Sequence, residues 1–310
     1  MSAKSGKPFS NKSLVIAHLG ALLCVLMWGI SFVSTKMLLN EEMQPVEIYI
    51  YRFTLAYLLI VLVKRERWLC STWMDEGLML LCGLLAGSIY FLAENFALTY
   101  TLTSNVSLLT STSPLITAMI IGFWYRSERP GKGMIAGSLV AFIGVGCVIF
   151  NSSFALEINP LGDMLAILAS FSWAFYSIIL RKLSARYSVW FLTRKTFFYG
   201  VITALPFLLV ETPRFTFIEA VTNRVVLSNV VFLGLGASLV AYLLWGETVK
   251  KLGAVKANNY MYLQPIFTMA VSVLFLHEAL TFVGFLGCAM ILLGLWLGDY
   301  LTRRYSTSTK

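Results

Sequence analysis

Two charged side chains that interrupt otherwise apolar segments are the first candidates for chemistry in this chain. Arg52 and Glu94 each lie well inside a long apolar segment. A guanidinium binds a carboxylate through two parallel hydrogen bonds, and a carboxylate removed from water holds its proton more tightly. These residues predict recognition of an anionic group by Arg52 and exchange of a proton at Glu94. Alternatively, Arg52 reaches a polar boundary or pins its neighbours, and Glu94 pairs with Arg52 or Lys36 or contacts a bound solute.

A stripe of small polar residues in one apolar segment recurs in a later one. The two stripes are Ser104, Ser107, Ser111 and Pro114, and Val255, Asn258, Tyr262 and Pro265. Spacings of three and four place each set on one face of a helix. Polar groups among apolar helices need partners or water, so these faces are predicted to line a cavity; hydrogen bonding within the helix or to a neighbouring one is the alternative. The two prolines are predicted to bend their helices, as hinges or as static kinks.

Aromatic residues and cations recur in the same way. Trp28 stands eight residues before Lys36, and Trp173 stands eight before Arg181. We therefore predict an aromatic wall of the cavity that is formed by Trp28, Trp173, Tyr176, Tyr90 and Trp245. Ordinary packing of aromatic side chains is the alternative.

Two further polar residues complete the set of candidates. Asn95 follows Glu94 directly and is predicted to contact a bound solute. Arg194 lies in a later apolar segment at a depth similar to that of Arg52. The two arginines are predicted to mark two gates, one on each side of the cavity.

The composition indicates which solvent these residues meet. The chain has 310 residues, of which 58% are hydrophobic and 13% charged, whereas soluble domains carry about 25% charge. Such a chain could not keep a globular surface wet, so a lipid bilayer is predicted to surround it. The net charge of +9 is assigned to loops on one side of the membrane rather than to nucleic-acid binding.

The sequence lacks the usual patterns of metal sites and enzymes. Its five cysteines are scattered and form no CxxC motif or His/Cys cluster, so no metal or cofactor is predicted. It also contains no phosphate-binding loop, so neither an ATP-driven nor an enzymatic reaction is predicted.

Ten apolar segments have about the 20 residues that are needed to cross a bilayer. They are residues 16–37, 46–63, 77–98, 103–124, 132–150, 161–182, 189–210, 227–247, 254–276 and 281–301. With both termini on one side, that side holds 18 of the 24 lysines and arginines, and only Lys36, Arg214 and Arg224 lie on the other. Because cations concentrate in cytoplasmic loops, both termini are predicted to be cytoplasmic.

The two halves of the chain repeat each other at an offset of about 150 residues. Gly83, Gly87, Pro114, Glu128, Gly137 and Gly144 recur as Gly234, Ser238, Pro265, Glu278, Gly287 and Gly294. Five spans per half is an odd number, so the second half enters the membrane from the opposite side. The sequence therefore predicts an all-α membrane protein built as a 5+5 inverted repeat. The predicted division is a tail (1–15), a first repeat (16–150), an outer linker (151–160), a second repeat (161–301) and a second tail (302–310).

Several short motifs occur in a characteristic order along this repeat. They are Trp28-Gly29-Ile30-Ser31-Phe32 with Lys36, Arg52 after Pro45, Ala97-Leu98 through Thr103-Ser104-Asn105 with Pro114 and Glu128, and Ala254 through Pro265 with Glu278. In these motifs the chain resembles the ten-helix EamA-type transporters of the drug/metabolite transporter superfamily, over residues 15–302. The resemblance implies movement of small metabolites, often export of amino acids, by alternating access.

The sequence thus predicts a secondary transporter in a prokaryotic inner membrane. Its predicted partners are a small-molecule substrate and the lipid bilayer, without nucleic acid. Transport is either coupled to protons or passive down a gradient. One alternative is an exchanger of nucleotide sugars or sugar phosphates, which needs more cationic groups in the cavity. Another is a membrane scaffold or receptor that transports nothing. The substrate, direction, coupling ion and oligomeric state remain open at this point.

Overall fold

Every regular element in the described part of the chain is a helix. The computed structural model describes residues 10–100, 103–124, 131–149, 159–209, 211–276 and 281–307. The helices are α1 (Asn11–Asn40), α2 (Pro45–Val63), α3 (Trp73–Tyr100), α4 (Thr103–Thr110), α5 (Ser113–Trp124), α6 (Lys132–Ile149), α7 (Pro160–Leu183), α8 (Val189–Ala204), α9 (Phe217–Thr222), α10 (Arg224–Leu252), α11 (Ala254–Asn259), α12 (Gln264–Leu276) and α13 (Phe282–Thr307). By length and composition, α1, α2, α3, α7 and α10 are able to cross a membrane, and shorter apolar helices accompany them.

Polar caps fix where several helices begin. The side chains of Ser10, Thr72, Asn159 and Ser188 each accept a backbone N–H from the first turn of α1, α3, α7 and α8. Such caps satisfy donors that have no partner within the helix. The end of α10 is set by Gly253, whose φ of +84° favours glycine.

Two long helices widen at matching places. α3 contains a π-helical segment at Leu84–Ile89, and α10 contains one at Phe232–Val240. Each segment lies next to or includes one glycine of the repeated pair Gly83 and Gly234. A π-helix bonds residue i to i+5, so it displaces backbone carbonyls from the α-helical pattern and often marks a functional site. The sequence does not predict these segments.

Two further predicted spans are interrupted instead of continuous. The predicted helix 103–124 breaks into α4 and α5 at a turn formed by residues 111–112, just before Pro114. The predicted helix 254–276 contains a 3₁₀ segment, Tyr260–Leu263, just before Pro265. Proline lacks the N–H that would bond one turn back, so the preceding turn loses a hydrogen bond. The interruptions occur where the sequence predicts bends.

Helices α6 and α13 pack backbone to backbone through the repeated glycines. A Cβ atom at Gly144 would lie 2.7 Å from the carbonyl oxygen of Gly287, and one at Gly294 would lie 2.5 Å from the carbonyl oxygen of Gly137. Real Cβ contacts do not approach so closely. The glycines thus allow a close helix crossing of the small-residue type found in membranes.

One polar cluster joins the two halves of the sequence at the start of α3. Here Asp75 accepts hydrogen bonds from Arg186 at 2.8 Å and from the Tyr187 hydroxyl at 2.7 Å. Next to it, Glu76 forms a buried ion pair with Lys195. We call this group, together with Arg194, the Arg194 cluster.

A second polar cluster joins the halves at the start of α2. The carboxylate of Glu47 accepts the backbone N–H groups of Arg214 and Phe215 at 3.2 and 2.9 Å. The Arg214 guanidinium also pairs with Glu42 at 2.7 Å. We call this group the Glu47 cluster. Both clusters therefore link residues of the first half of the sequence to residues of the second.

The glycine crossing predicts a position-specific loss of stability. Gly144→Ala forces α6 away from α13 and is expected to lower the free energy of unfolding by about 1–3 kcal/mol, the usual cost of overpacking. Gly146→Ala, two residues away, is the control because a Cβ there meets nothing within 4 Å. Alanine is a better helix former than glycine, so this control is expected to be neutral or stabilising. Equal melting temperatures of the two purified variants in detergent would contradict the close crossing.

The buried ion pair predicts a second stability effect. Lys195→Ala leaves the Glu76 carboxylate buried without its cation, which costs about 3–5 kcal/mol for a buried pair. The double variant Lys195→Met/Glu76→Gln is expected to recover much of that loss in thermal unfolding. Lys251→Ala is the control because it breaks a partly exposed i,i+4 pair with Glu247, which is worth about 0.3–0.5 kcal/mol. Similar losses for both lysines would show that the Lys195 pair does not stabilise the fold.

Candidate functional site

A small cavity lies where α1, α3, α7 and the 3₁₀ segment before α12 meet. Its described lining residues are Trp28, Ser31, Phe32, Tyr90, Phe91, Glu94, Trp173, Met261 and Gln264. It offers about 20 Å³ to the centre of a water-sized sphere, and one water needs about 10–15 Å³ by that measure. Ligand pockets commonly measure about 300–1,000 Å³. In this conformation the cavity therefore has room for one water-sized group.

The aromatic wall of the cavity is built from both halves of the chain. The rings of Trp28 and Trp173 meet edge to face, with centroids 5.1 Å apart and an interplanar angle of 89°. Trp245 lies 5.1 Å from Trp28, and Tyr90 lies 5.1 Å from Trp173. Each such contact contributes about 0.5–1.5 kcal/mol beyond burial of its area. The two tryptophans that recur in the sequence are thus in direct contact at the centre.

The π-helical segments supply acceptors for side chains around this wall. The Trp28 indole N–H donates to the carbonyl of Ala237 at 2.9 Å. The hydroxyls of Ser172 and Tyr242 donate to the carbonyls of Leu85 and Ala86, at 2.5 and 2.6 Å. The Trp173 indole N–H is buried without a hydrogen-bond partner among the described residues. The π-helical carbonyl of Ala237 therefore fixes the Trp28 side chain, whereas the Trp173 indole has no such partner among the described residues.

The polar groups of the lining are few. Glu94 is the one charged residue in the described lining, and it interacts with the Tyr90 hydroxyl one turn before it on α3. Ser31 donates its hydroxyl proton to the carbonyl of Trp28 at 2.8 Å. Gln264 contributes a side-chain amide. This arrangement offers oxygen atoms to a bound group.

Arg52 lies behind the cavity and is not part of its described lining. Its Nε donates to Ser238 Oγ at 3.0 Å, and its guanidinium carbon lies 4.7 Å from the ring centroid of Phe91. Its Nη2 has no hydrogen-bond partner among the described residues. The charges of Arg52 and Glu94 attract each other, but no ion pair within 4 Å joins these two described side chains. The Nη2 group of Arg52 is thus a buried hydrogen-bond donor without a partner among the described residues, and it lies next to Phe91, which lines the cavity.

Other candidate residues contact the protein instead of the cavity. Asn95 donates to the carbonyl of Pro45 at 3.1 Å, which ties α3 to the start of α2. Tyr176 packs against Trp173 at a tilted angle of 54°, with ring centroids 5.2 Å apart. Arg194 donates to the backbone carbonyls of Glu66 and Arg67 and belongs to the Arg194 cluster.

The sequence predicts that Arg52 and Arg194 correspond to each other in the two halves, but they lie at different distances from the starts of their helices. Arg52 lies eight positions after the N-cap Gln44 of α2, and Arg194 lies six positions after the N-cap Ser188 of α8. They therefore do not occupy equivalent places in the two halves.

The predicted polar stripes are only partly described. The side chains of Ser104 and Ser107 lie outside the described part of the structure, and Ser111 is buried at the turn between α4 and α5. Asn258 and Tyr262 are fully buried, and their neighbours Met261 and Gln264 face the cavity instead. The Asn258 amide donates to the carbonyl of Ala254 in its own helix, at 2.9 Å.

The described residues contain no group of three or more His, Cys, Asp or Glu side chains that could hold a metal ion.

Comparisons with known proteins identify the family. The model of the EamA-like transporter family matches this chain at residues 15–150 and again at 160–298. An uncharacterized transporter of Archaeoglobus fulgidus is 29% identical over 288 residues, which cover 90% of this chain and 96% of that protein. A probable amino-acid metabolite efflux pump of Escherichia coli K12 is 28% identical over 286 residues, which cover 90% and 93% of the two chains.

A solved structure supports the fold independently of close sequence similarity. One crystal structure superposes with a TM-score of 0.75 at 17% identity and covers 96% of this chain and 99% of its own. The double match to the family model, together with the long apolar helices, shows that the chain is an integral membrane transporter that belongs to the EamA-like transporter family.

Proposed function

We propose that the protein exports small metabolites by alternating access, through ten spans arranged as a 5+5 inverted repeat. The two family matches, at residues 15–150 and 160–298, support this division into halves. The π-helical segments and the interruptions before Pro114 and Pro265 also occur in pairs, one in each half. The distribution of lysine and arginine supports cytoplasmic termini.

The observation that carries this proposal is the small cavity lined by residues of both halves. Trp28 of the first half and Trp173 of the second meet at its wall, and no other pair of repeated aromatic residues lines it among the described residues. Inverted-repeat transporters place their sites at the interface of the repeats, next to interrupted helices. Such a site opens alternately to each side when one half rocks against the other.

The two polar clusters are the proposed gates of this movement. The Arg194 cluster and the Glu47 cluster each join the two halves, at the starts of α3 and α2 respectively. Opening towards one side requires the cluster on that side to separate while the other stays closed. Pro114 and Pro265, next to the interrupted turns, are the proposed hinges. Arg52 is assigned to the wall of the site and not to an outer gate.

The proposed substrates are amino acids or related solutes, and the proposed location is a prokaryotic inner membrane. The Escherichia coli relative is named for amino-acid metabolite efflux, and the matched relatives are bacterial and archaeal. An exchanger of sugar phosphates or nucleotide sugars is less well supported because no cation lines the described cavity. The unpaired Nη2 of Arg52 is the proposed contact for a substrate carboxylate once Phe91 moves.

The proposed function predicts that a larger side chain in the cavity blocks transport. Ser31→Leu fills a space of about 20 Å³ and is expected to reduce flux at least tenfold. Flux is measured as solute loss, by mass spectrometry, from liposomes loaded with a mixed metabolite extract. Empty liposomes set the background.

Ser228→Leu is the matched control for this experiment. Ser228 is exposed on α10, and like Ser31 it donates its hydroxyl to the carbonyl three residues before it. It should transport as the wild type does. Loss of no solute from wild-type liposomes at several pH values, with folded protein verified, would refute transport and favour a scaffold or receptor.

Proton coupling is proposed to depend on Glu94. The titratable or charged groups that act on its carboxylate are Tyr90 on α3 and Arg52 on α2. Glu94→Gln cannot exchange a proton, so pH-driven uptake is expected to fall to background while exchange of solute for solute, measured at saturating solute concentration, continues. Glu247→Gln, at a partly exposed ion pair, should retain both activities. An unchanged response of Glu94→Gln to a pH gradient would exclude this residue as the coupling group.

A further inference from the structure

The polar atoms of the described lining are mainly hydrogen-bond acceptors. Glu94 only accepts hydrogen bonds when it is ionised. The Ser31 hydroxyl proton is committed to the carbonyl of Trp28, which leaves its oxygen to accept. The indole N–H of Trp28 is committed to Ala237, and that of Trp173 is fully buried, without a hydrogen-bond partner among the described residues. A group that binds here therefore meets mainly acceptors and brings its own donors.

The remaining lining favours a positive charge on that group. Aromatic side chains make up five of the nine described lining residues, namely Trp28, Phe32, Tyr90, Phe91 and Trp173. Aromatic rings attract cations through their quadrupoles. Glu94 adds a negative charge, whereas the nearest buried cation, Arg52, lies behind Phe91. An anion at this place would face the Glu94 carboxylate without a cation in the lining.

We infer that Glu94, Ser31 and Gln264 form a subsite for the protonated amine of the substrate, enclosed by the aromatic wall. The inference rests on the proposed function and names the group of the solute that the cavity recognises. An ammonium group carries three donors and is about the size of a water molecule, which matches the free space of about 20 Å³. The carboxylate of a substrate is not required, so simple alkylamines bind the same subsite.

Equilibrium binding to the purified full-length protein tests this subsite with three probes of one shape. Leucine carries an ammonium and a carboxylate, isopentylamine carries the ammonium alone, and 2-hydroxy-4-methylpentanoate carries the carboxylate with a hydroxyl in place of the amine. Titration calorimetry at pH 7 is expected to show binding of leucine and isopentylamine, with the hydroxy acid at least tenfold weaker than leucine. Titrations with alkylamines from methylamine to hexylamine show which chain length the subsite accepts.

Variants separate the subsite from general effects on folding. Glu94→Gln keeps the shape of the side chain but removes its charge, and it is expected to weaken the binding of isopentylamine at least tenfold. Ser31→Ala removes one hydrogen-bond acceptor and is expected to weaken the binding of isopentylamine about two- to fivefold. Glu247→Gln, far from the lining, should bind as the wild type does. Thermal unfolding of each variant shows whether it is folded.

Three results would overturn the inference. They are equal binding of leucine and the hydroxy acid, isopentylamine binding that is unchanged in folded Glu94→Gln, and no binding of any amine in the series. The liposome assay separates this failure from failure of the proposed function. Export of solutes that lack an amine would uphold transport and overturn the subsite, whereas amine binding without any flux would uphold the subsite and refute transport.

Discussion

The constraint on which this structure depends is that backbone polar groups inside a bilayer must find partners within the protein. A regular helix meets this constraint alone, but a widened or interrupted helix does not. Here the carbonyls of Leu85, Ala86 and Ala237 lie in π-helical segments and accept hydrogen bonds from Ser172, Tyr242 and Trp28. The contacts that make two irregular helices tolerable in lipid also position the tryptophan wall of the cavity. Stability of the bundle and geometry of the site therefore rest on the same hydrogen bonds.

The sequence predicts an all-helical membrane protein because apolar length is a strong and local signal, and five of the described helices are long and apolar enough to cross a membrane. It also identified the glycines that pack α6 against α13, since repeated small residues have few other uses at such spacing. It did not predict which side chains of the ninth segment face the cavity. The 3₁₀ segment Tyr260–Leu263 turns through about 120° per residue instead of 100°. The face extrapolated from Asn258 and Tyr262 is thereby rotated, and Met261 and Gln264 line the cavity instead.

Charged residues inside apolar segments were harder to interpret, because the sequence shows their depth but not their partners. Arg194 is used to bind two loop carbonyls, and Lys195 pairs with Glu76. Arg52 donates to the Ser238 hydroxyl and lies against the rings of Phe53 and Phe91. Its Nη2 has no hydrogen-bond partner among the described residues. The same residue type therefore serves as a loop clamp in one half and as a wall component in the other.

The contact between Trp28, Trp173 and Trp245 also has an optical consequence. Three indoles whose centroids are 5.1–5.7 Å apart exchange excitation energy and share their electronic transitions. Any group that enters the cavity touches Trp28 and Trp173 directly and changes the polarity around them, while the hydrogen bond to Ala237 reports on the adjacent helix. Intrinsic fluorescence and near-ultraviolet circular dichroism therefore observe the centre of this protein without an added label.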